Sequence, residues 1–207
     1  MREVSAEFQS GRLYAILGEN GAGKSTLLRV IAGLAKPSRG DVSIAARDNS
    51  VEKRAVGYMA HASLLYEELS GAENLRYFAG LYGVRDNAHC EELMRRVGLD
   101  PRLNRRLGDY SQGMKQRLSL ARAIIHDPAI ALFDEPFSNL DAASFRHIAA
   151  LLADMRSAGK CVIVVTHQSG LLQGIADESL RLEGGRVAAH ETGIAAARSD
   201  GRREANS

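Results

Sequence analysis

The sequence has few of the features that mark secreted or membrane-spanning proteins. Its 207 residues include only two cysteines, Cys90 and Cys161, which lie far apart and in different settings. Nothing in that arrangement indicates a disulfide, so a reducing cytosol is the expected compartment. No apolar run is long enough to span a membrane, and no signal-peptide pattern is visible. We therefore expect a soluble chain that would act at a membrane only by docking on it.

A strong charge of either sign is also missing. The chain has 27 lysine and arginine residues against 25 aspartate and glutamate residues, which gives a formal net charge of +2. This balance argues neither for nor against nucleic acid, but no long basic stripe stands out, so no nucleic-acid partner is expected. The length suits one domain with a sizeable core, and the apolar content of 45% is ordinary for a globular protein.

Strand and helix patterns alternate along the chain, which predicts a parallel α/β core with right-handed crossovers. The mainly helical stretch at about 62–126 is expected to form a subdomain inserted in the core. Residues 190–207 lack periodicity and are predicted to be a disordered tail, leaving a single domain over residues 1–189. The patterns place strands at 12–17, 41–45, 54–59, 129–134, 161–166 and twice near 178–189, and helices at 24–33, 71–83, 88–97, 112–126, 142–158 and 169–176.

A glycine-rich loop follows the first apolar strand and leads into the first predicted helix. Its glycines allow backbone angles that other residues avoid, so successive N–H groups can point inward and cradle phosphate oxygens. The lysine of the loop should reach the β- and γ-phosphates, and the hydroxyl of the next serine should ligate Mg²⁺. The predicted nucleotide-binding residues are Gly18, Glu19, Asn20, Gly21, Ala22, Gly23, Lys24, Ser25 and Thr26.

Three further segments carry chemistry. Ser111, in the run Tyr-Ser-Gln-Gly-Met, precedes a predicted helix and would form an anion site as its N-cap. A single monomer has no use for an anion site so far from its phosphate loop. An apolar strand ends in Asp134 and Glu135, and a carboxylate near a γ-phosphate fits general-base or water-orienting work. His167 follows a run of β-forming residues, so it is expected at the nucleotide edge of a buried strand.

In order and spacing, these segments resemble the ATP-binding subunits of the ABC-transporter family, over about residues 4–187. The family signature usually reads Leu-Ser-Gly-Gly-Gln; this chain keeps Ser111 and Gly113 but carries Gln112 and Met114. The resemblance implies a P-loop NTPase core of the ABC type, with a mainly parallel sheet flanked by helices and an inserted helical subdomain. It also implies ATP and Mg²⁺ as cofactors.

The resemblance also implies roles for individual residues. Asp134 matches the family residue that holds Mg²⁺, Glu135 the residue that polarises the attacking water, and His167 the switch histidine that contacts the γ-phosphate. In the family the segment that corresponds to Ser111 and Gly113 contacts a γ-phosphate held by the partner subunit. Only one copy of each motif is present, so a second cassette is required, most simply a second copy of this chain.

Two positions depart from the family pattern. His61 stands at the end of a predicted strand where the family carries a glutamine that meets Mg²⁺ and the membrane partner. Neutral imidazole can accept from a metal-bound water or ligate the metal, so His61 is a candidate metal contact. The alternative is that His61 is a bystander on a loop.

The N-terminal segment is the second departure from the family pattern. Only about seventeen residues precede Gly18, so the family's first strand and its adenine-stacking aromatic are absent. Either the start is misassigned or adenine is held in another way.

The transported substrate is predicted from two runs, residues 61–69 and 73–84. They resemble the haem-exporter ATPase of cytochrome c maturation. The shared features are a histidine in place of the usual family glutamine, a Leu-Leu-Tyr sequence in the first run and a Leu-Tyr-Gly sequence in the second. The run Ser-Gln-Gly-Met also resembles ATPases of ABC-2-type exporters of drugs or polysaccharides. A third and less favoured interpretation is a non-transport ABC ATPase that acts on ribosomes or DNA. The ribosomal class carries two cassettes on one chain and the DNA class carries long coiled coils, and this sequence shows neither feature. The resemblance implies a peripheral subunit on the cytoplasmic face of the inner membrane, docked on integral membrane subunits.

Overall fold

The computed structural model describes residues 3–44, 55–172 and 174–192. Its α-helices are α1 (Lys24–Ile31), α2 (Gly71–Leu81), α3 (Asn87–Arg96), α4 (Gln112–Ile124) and α5 (Ala142–Ser157). Its strands are β1 (Leu13–Leu17), β2 (Val56–Met59), β3 (Ile130–Asp134), β4 (Cys161–Thr166), β5 (Glu178–Glu183) and β6 (Arg186–Thr192). Short 3₁₀ helices occupy Leu107–Asp109 and Ser169–Leu172.

The six strands form one sheet in the order β2-β3-β4-β1-β5-β6. Every neighbouring pair is parallel except β5 and β6, which form an antiparallel hairpin at one edge. The mainly parallel sheet that the sequence predicted is therefore present. Because β1, β3 and β4 are adjacent and parallel, the loops that follow them lie at one edge of the sheet, where α/β proteins bind their ligands.

Helices cover both faces of this sheet, and the alternation of β1 shows how the two apolar layers are divided. Leu13 and Leu17 point into a layer shared with α2, α3, α4 and α5. Tyr14 and Ile16, one residue out of phase, point into the layer that contains Leu28 of α1. Successive side chains of a strand face opposite sides, so one five-residue strand contributes to both layers.

The helices between β2 and β3 lie where the inserted subdomain was predicted. Helix α2 begins with a reciprocal cap: the Ser70 hydroxyl accepts from the Glu73 N–H, and the Glu73 carboxylate accepts from the Ser70 N–H. Helix α4 packs against both α2 and β2. The apolar layer is continuous from α2 and α3 to the sheet. Among the described residues, no helix combines the length and the apolar character that spanning a bilayer requires.

Three predicted elements differ from the observed ones. Residues 41–44 form no strand, and residue 45, the end of that predicted strand, lies outside the described residues. The helix predicted at 169–176 is a 3₁₀ turn over Ser169–Leu172. Strand β6 extends to Thr192 because it pairs with β5, so the ordered chain continues past residue 189, where the tail was predicted to begin. The rest of that tail, 193–207, lies outside the described residues.

Candidate nucleotide-binding site

The phosphate loop connects β1 to α1 in the predicted strand–loop–helix order. Gly18 has φ +148°, and a Cβ built there would lie 2.4 Å from the Leu182 carbonyl oxygen, so only glycine fits. Lys24 is buried, and its Nζ donates to the carbonyl oxygens of Gly18 at 2.7 Å and Glu19 at 3.0 Å. The loop thus holds the lysine ammonium within its own turn, beside the N-terminus of α1, where a phosphate would bind.

A cleft of about 370 Å³ opens at this edge of the sheet and brings together most of the predicted site. Ten predicted residues and Ser138 line it: Asn20, Gly21, Gly23, Lys24, Ser25, Thr26, His61, Asp134, Glu135, Ser138 and His167. Three predicted loop residues, Gly18, Glu19 and Ala22, lie in the loop but do not line the cleft. Residues from four separate parts of the chain therefore meet at one place.

Asp134 and Ser25 form the part of the cleft that suits Mg²⁺. The Asp134 side chain is almost fully buried, and burial raises the pKa of its carboxyl group above the ordinary value. A hydrogen bond from Ser25 and the positive charge that His61 can carry oppose this rise in the Asp134 pKa. A hydroxyl beside a carboxylate offers the hard oxygen donors that Mg²⁺ prefers, with phosphate oxygens and water completing its shell. The residues present therefore fit the ion.

His61 lies after β2, and it is exposed at the cleft. Its side chain lines the same cleft as the Asp134 carboxylate. Within the described part of the chain, no group of three histidine, cysteine or acidic side chains is arranged to hold a metal by itself. Any Mg²⁺ contact from His61 would therefore add to a site formed mainly by Ser25, Asp134 and the nucleotide.

Glu135 follows Asp134 and carries the carboxylate that faces the cleft from β3. One of its oxygens, Oε1, accepts from the His167 backbone N–H at 2.9 Å and lies 2.9 Å from His167 Nδ1. The other, Oε2, accepts from the Thr166 hydroxyl at 3.1 Å. Three contacts from the end of β4 therefore hold both carboxylate oxygens in the cleft that the phosphate loop also lines. A water bound to this carboxylate could reach a γ-phosphate there.

Ser111 and Gly113 lie outside this cleft, at the N-terminus of α4. Ser111 is exposed, and its hydroxyl accepts from the Met114 N–H at 3.3 Å, so it is the N-cap that the sequence predicted. A Cβ at Gly113 would lie 2.7 Å from the Asn139 carbonyl oxygen, which explains the small residue. The predicted N-cap is thus present, at an exposed helix end that does not line this chain's own cleft.

Gln116 and Thr166, near the cleft, were not assigned a role from the sequence, and Ser138 was expected only as part of a segment, residues 138–141, that resembles the D-loop by which the family's cassettes meet. Gln116 and Ser138 both bond the backbone carbonyl of Glu135, and Thr166 bonds its carboxylate. Thr166 is the last residue of β4 and Ser138 lies three residues after Glu135, so their polar character close to recognised strand ends was the available signal. Gln116 had none, because its contact spans 19 residues and ends on a backbone atom.

Comparison with known proteins gives the same family as the motifs. A family model described as "ABC transporter" matches residues 1–138. The ABC transporter ATP-binding protein NatA of Bacillus subtilis is 36% identical over 195 residues, which cover 90% of this chain and 79% of NatA. The lipoprotein-releasing system ATP-binding protein LolD of Myxococcus xanthus is 37% identical, covering 90% of this chain and 89% of LolD. Some relatives are longer: the chain spans 63% of the uncharacterised Bacillus subtilis cassette YdbJ.

Solved structures agree with this likeness. The dimeric post-hydrolysis structure of the ATP-binding cassette MJ0796, bound to ADP and phosphate, is 27% identical to this chain with a TM-score of 0.81. The match covers 91% of this chain and 88% of that cassette, and it includes the mixed sheet flanked by helices. The chain therefore belongs to the ABC transporter family, in which it is an ATP-binding and ATP-hydrolysing cassette.

Proposed function

We propose that this cassette works as a pair with a second copy of itself, each copy contributing half of two shared ATP sites. One observation carries this proposal: Ser111 caps an exposed helix end that does not line the cleft. A capped helix N-terminus attracts anions through its free N–H groups and its dipole. The γ-phosphate of a nucleotide held by a partner copy would give that helix end an anion to bind.

Within one cleft, the residues divide the work of ATP hydrolysis between them. The loop N–H groups and Lys24 bind the phosphates, and Ser25 and Asp134 would hold Mg²⁺, which neutralises phosphate charge when bound. Glu135 orients a water and accepts its proton. His167, which lies against Glu135, would contact the γ-phosphate. Phosphoryl transfer needs mostly positioning and charge neutralisation, and these side chains are suited to both.

We further propose that the pair docks on separate integral membrane subunits at the cytoplasmic face of the inner membrane and drives export. The surface that follows His61 supports this. It exposes Leu64, Tyr66, Tyr77 and Leu81, with fractional exposures of 60%, 44%, 45% and 63%. The Tyr66 and Tyr77 rings are in contact, with centroids 5.0 Å apart, so they form one patch. Exposed apolar patches of this kind typically mark interaction sites.

For the cargo we propose haem, exported for cytochrome c maturation, on the strength of residues 61–69 and 73–84. His61 of the first run lines the cleft, and both runs contribute side chains to the exposed patch. The alternative is an ABC-2-type exporter of drugs or polysaccharides, favoured by the run Ser111–Met114. LolD, similar to this chain over 90% of its length, is named for lipoprotein release. Likeness in the cassette therefore does not fix the cargo.

Two measurements test the proposal at its two levels. ATPase activity that rises with the square of protein concentration at low concentration would support paired cassettes, and strictly linear dependence would contradict them. For the cargo, deletion of the gene should abolish covalent haem attachment to c-type cytochromes while cytochrome polypeptides persist. Normal holo-cytochrome c in the deletion strain, with altered drug tolerance or surface polysaccharide, would contradict haem export and favour the alternative.

A further inference from the structure

The chain between β3 and α5 has an unusual backbone at both ends of a tight turn. Glu135 has φ +54° and Asn139 has φ +59°, and neither residue is glycine. Side chains with a Cβ rarely adopt this left-handed region, and where they do, the surroundings must hold them there. The catalytic carboxylate of Glu135 therefore projects from a backbone that depends on its neighbours for its conformation.

One side chain from another element provides much of that support. The Gln116 amide nitrogen donates to the Glu135 carbonyl oxygen at 2.7 Å and to the Ser138 hydroxyl oxygen at 3.2 Å. The Ser138 hydroxyl donates to the same carbonyl at 2.9 Å, and the Ser138 N–H does so at 3.2 Å. The two amide hydrogens of Gln116 and the single hydroxyl hydrogen of Ser138 account for every side-chain bond in this set.

A second contact joins the same two segments. Gly113, one turn before Gln116 on α4, packs so closely on the Asn139 carbonyl that a Cβ would come within 2.7 Å of it. Thus α4 holds the turn at both left-handed positions: Gln116 at Glu135 and Gly113 at Asn139. A shift of the first turns of α4 would disturb both positions together.

We infer that Gln116 is a positioning residue for hydrolysis, which sets the backbone of Glu135 and makes the catalytic carboxylate respond to the position of α4. This rests on the proposed function, in which the N-terminus of α4 binds the γ-phosphate of the partner's nucleotide. Engagement of α4 at one shared site would then be transmitted by Gln116 to Glu135 of the same chain, which acts at the other site. The link lies wholly within one chain.

The competing explanation is that Gln116 merely satisfies its own buried amide. It is buried, and a buried polar group needs hydrogen-bond partners wherever it lies. The two explanations differ in one respect. If Gln116 acts through Glu135, its loss has no effect on turnover once the Glu135 carboxylate has been removed. If it only stabilises packing, its loss adds to that of Glu135.

The experiment is therefore a double-mutant cycle between Gln116→Met and Glu135→Gln. Methionine keeps the length of the side chain and removes both donors. We expect Gln116→Met to lower kcat between about 10-fold and about 10²-fold, the range of a small misplacement, with the KM for ATP unchanged. In the Glu135→Gln protein the same substitution should leave the residual rate unchanged. Ser138→Ala, which removes the other side-chain donor, should lower kcat in the same way.

Ser119→Ala is the matched control. Ser119 is fully buried on the same helix and also donates to a backbone carbonyl, that of Ser63, at 3.2 Å. Ser119 does not contact Glu135, so the kcat of the Ser119→Ala protein should stay within about two-fold of the wild-type value. Wild-type kcat in both Gln116→Met and Ser138→Ala would overturn the inference, and so would an equal further loss in the Glu135→Gln protein. Failure of the proposed pairing would appear separately, as linear concentration dependence in the wild-type protein.

Discussion

The side chain of His167 lies against the carboxylate of Glu135, with Nδ1 2.9 Å from Oε1. A carboxylate accepts only, so the proton of this contact lies on Nδ1. A neutral ring in that tautomer has no proton on Nε2 and cannot donate to a γ-phosphate. A neutral ring that donates Nε2–H to a γ-phosphate would therefore give up its Nδ1 contact with Glu135, and this would change the surroundings of the Glu135 carboxylate.

Replacing Glu135 tests the centre of the proposed mechanism. Glu135→Gln keeps the shape and the hydrogen bond from Thr166 but cannot accept a proton from water. We expect turnover to fall at least about 10²-fold. Mg-ATP binding should persist, so the variant should accumulate as an ATP-bound dimer that size-exclusion chromatography with Mg-ATP detects. The matched control is Glu183→Gln, because Glu183 is exposed and lies outside the cleft, and this variant should hydrolyse ATP at the wild-type rate. Hydrolysis at the wild-type rate by Glu135→Gln would remove Glu135 from the mechanism.

Much of this site could be predicted from the sequence because its parts are local. Lys24 and Ser25 belong to one contiguous sequence motif that leads into α1. Asp134 ends, and His167 follows, a strand that its run of hydrophobic residues predicts. Parallel strands end at one edge of a sheet, so residues at those ends could be expected to meet. The cleft contains them as predicted.

Other features depend on long-range pairing, which no local pattern encodes. The bond from Gln116 to Glu135 joins a helix to a backbone carbonyl, and a backbone atom leaves no mark in the sequence. Thr192 belongs to a strand because β6 pairs with β5, although the sequence there lacks a clear alternation. Residues 41–44 contain β-forming side chains, yet no described strand pairs with them.

Mixing two inactive variants tests whether ATP sites are shared between copies. Lys24→Ala destroys the phosphate loop, and Ser111→Arg blocks the anion site at α4. A heterodimer of the two has one intact shared site and one site with both defects, so we expect a measurable part of wild-type ATPase activity to return on mixing. Each variant alone should stay inactive. Absence of recovery, with heterodimers demonstrated by two affinity tags, would count against shared sites.

Substitutions of His61 separate a metal and coupling role from that of a bystander. His61→Gln should retain ATPase activity, because an amide oxygen can also accept a hydrogen bond from metal-bound water. His61→Ala should reduce stimulation by the membrane subunits more than it weakens nucleotide binding, measured as ATPase rate with and without those subunits. His147→Ala, an exposed histidine on α5, is the matched control. If all variants match the wild-type protein with the partner present, His61 has no part in coupling.

The buried carboxyl of Asp134 should cost the nucleotide-free protein stability, and the cost should depend on pH. Burial raises the Asp134 pKa in the folded state, so this carboxyl holds its proton to a higher pH in the folded than in the unfolded chain. Stability is therefore lost as pH rises from the ordinary aspartate pKa through the raised one, and the loss is complete above it. Asp134→Asn should raise the melting temperature at neutral pH without Mg²⁺ or ATP, with the gain vanishing below the ordinary aspartate pKa. It should also weaken Mg-ATP binding.

The matched control is Asp41→Asn, at an exposed position, which should change neither the melting temperature nor Mg-ATP binding. An Asp134→Asn protein that melts at or below the wild-type temperature at every pH would show that the carboxylate is fully compensated by Ser25 and its other neighbours.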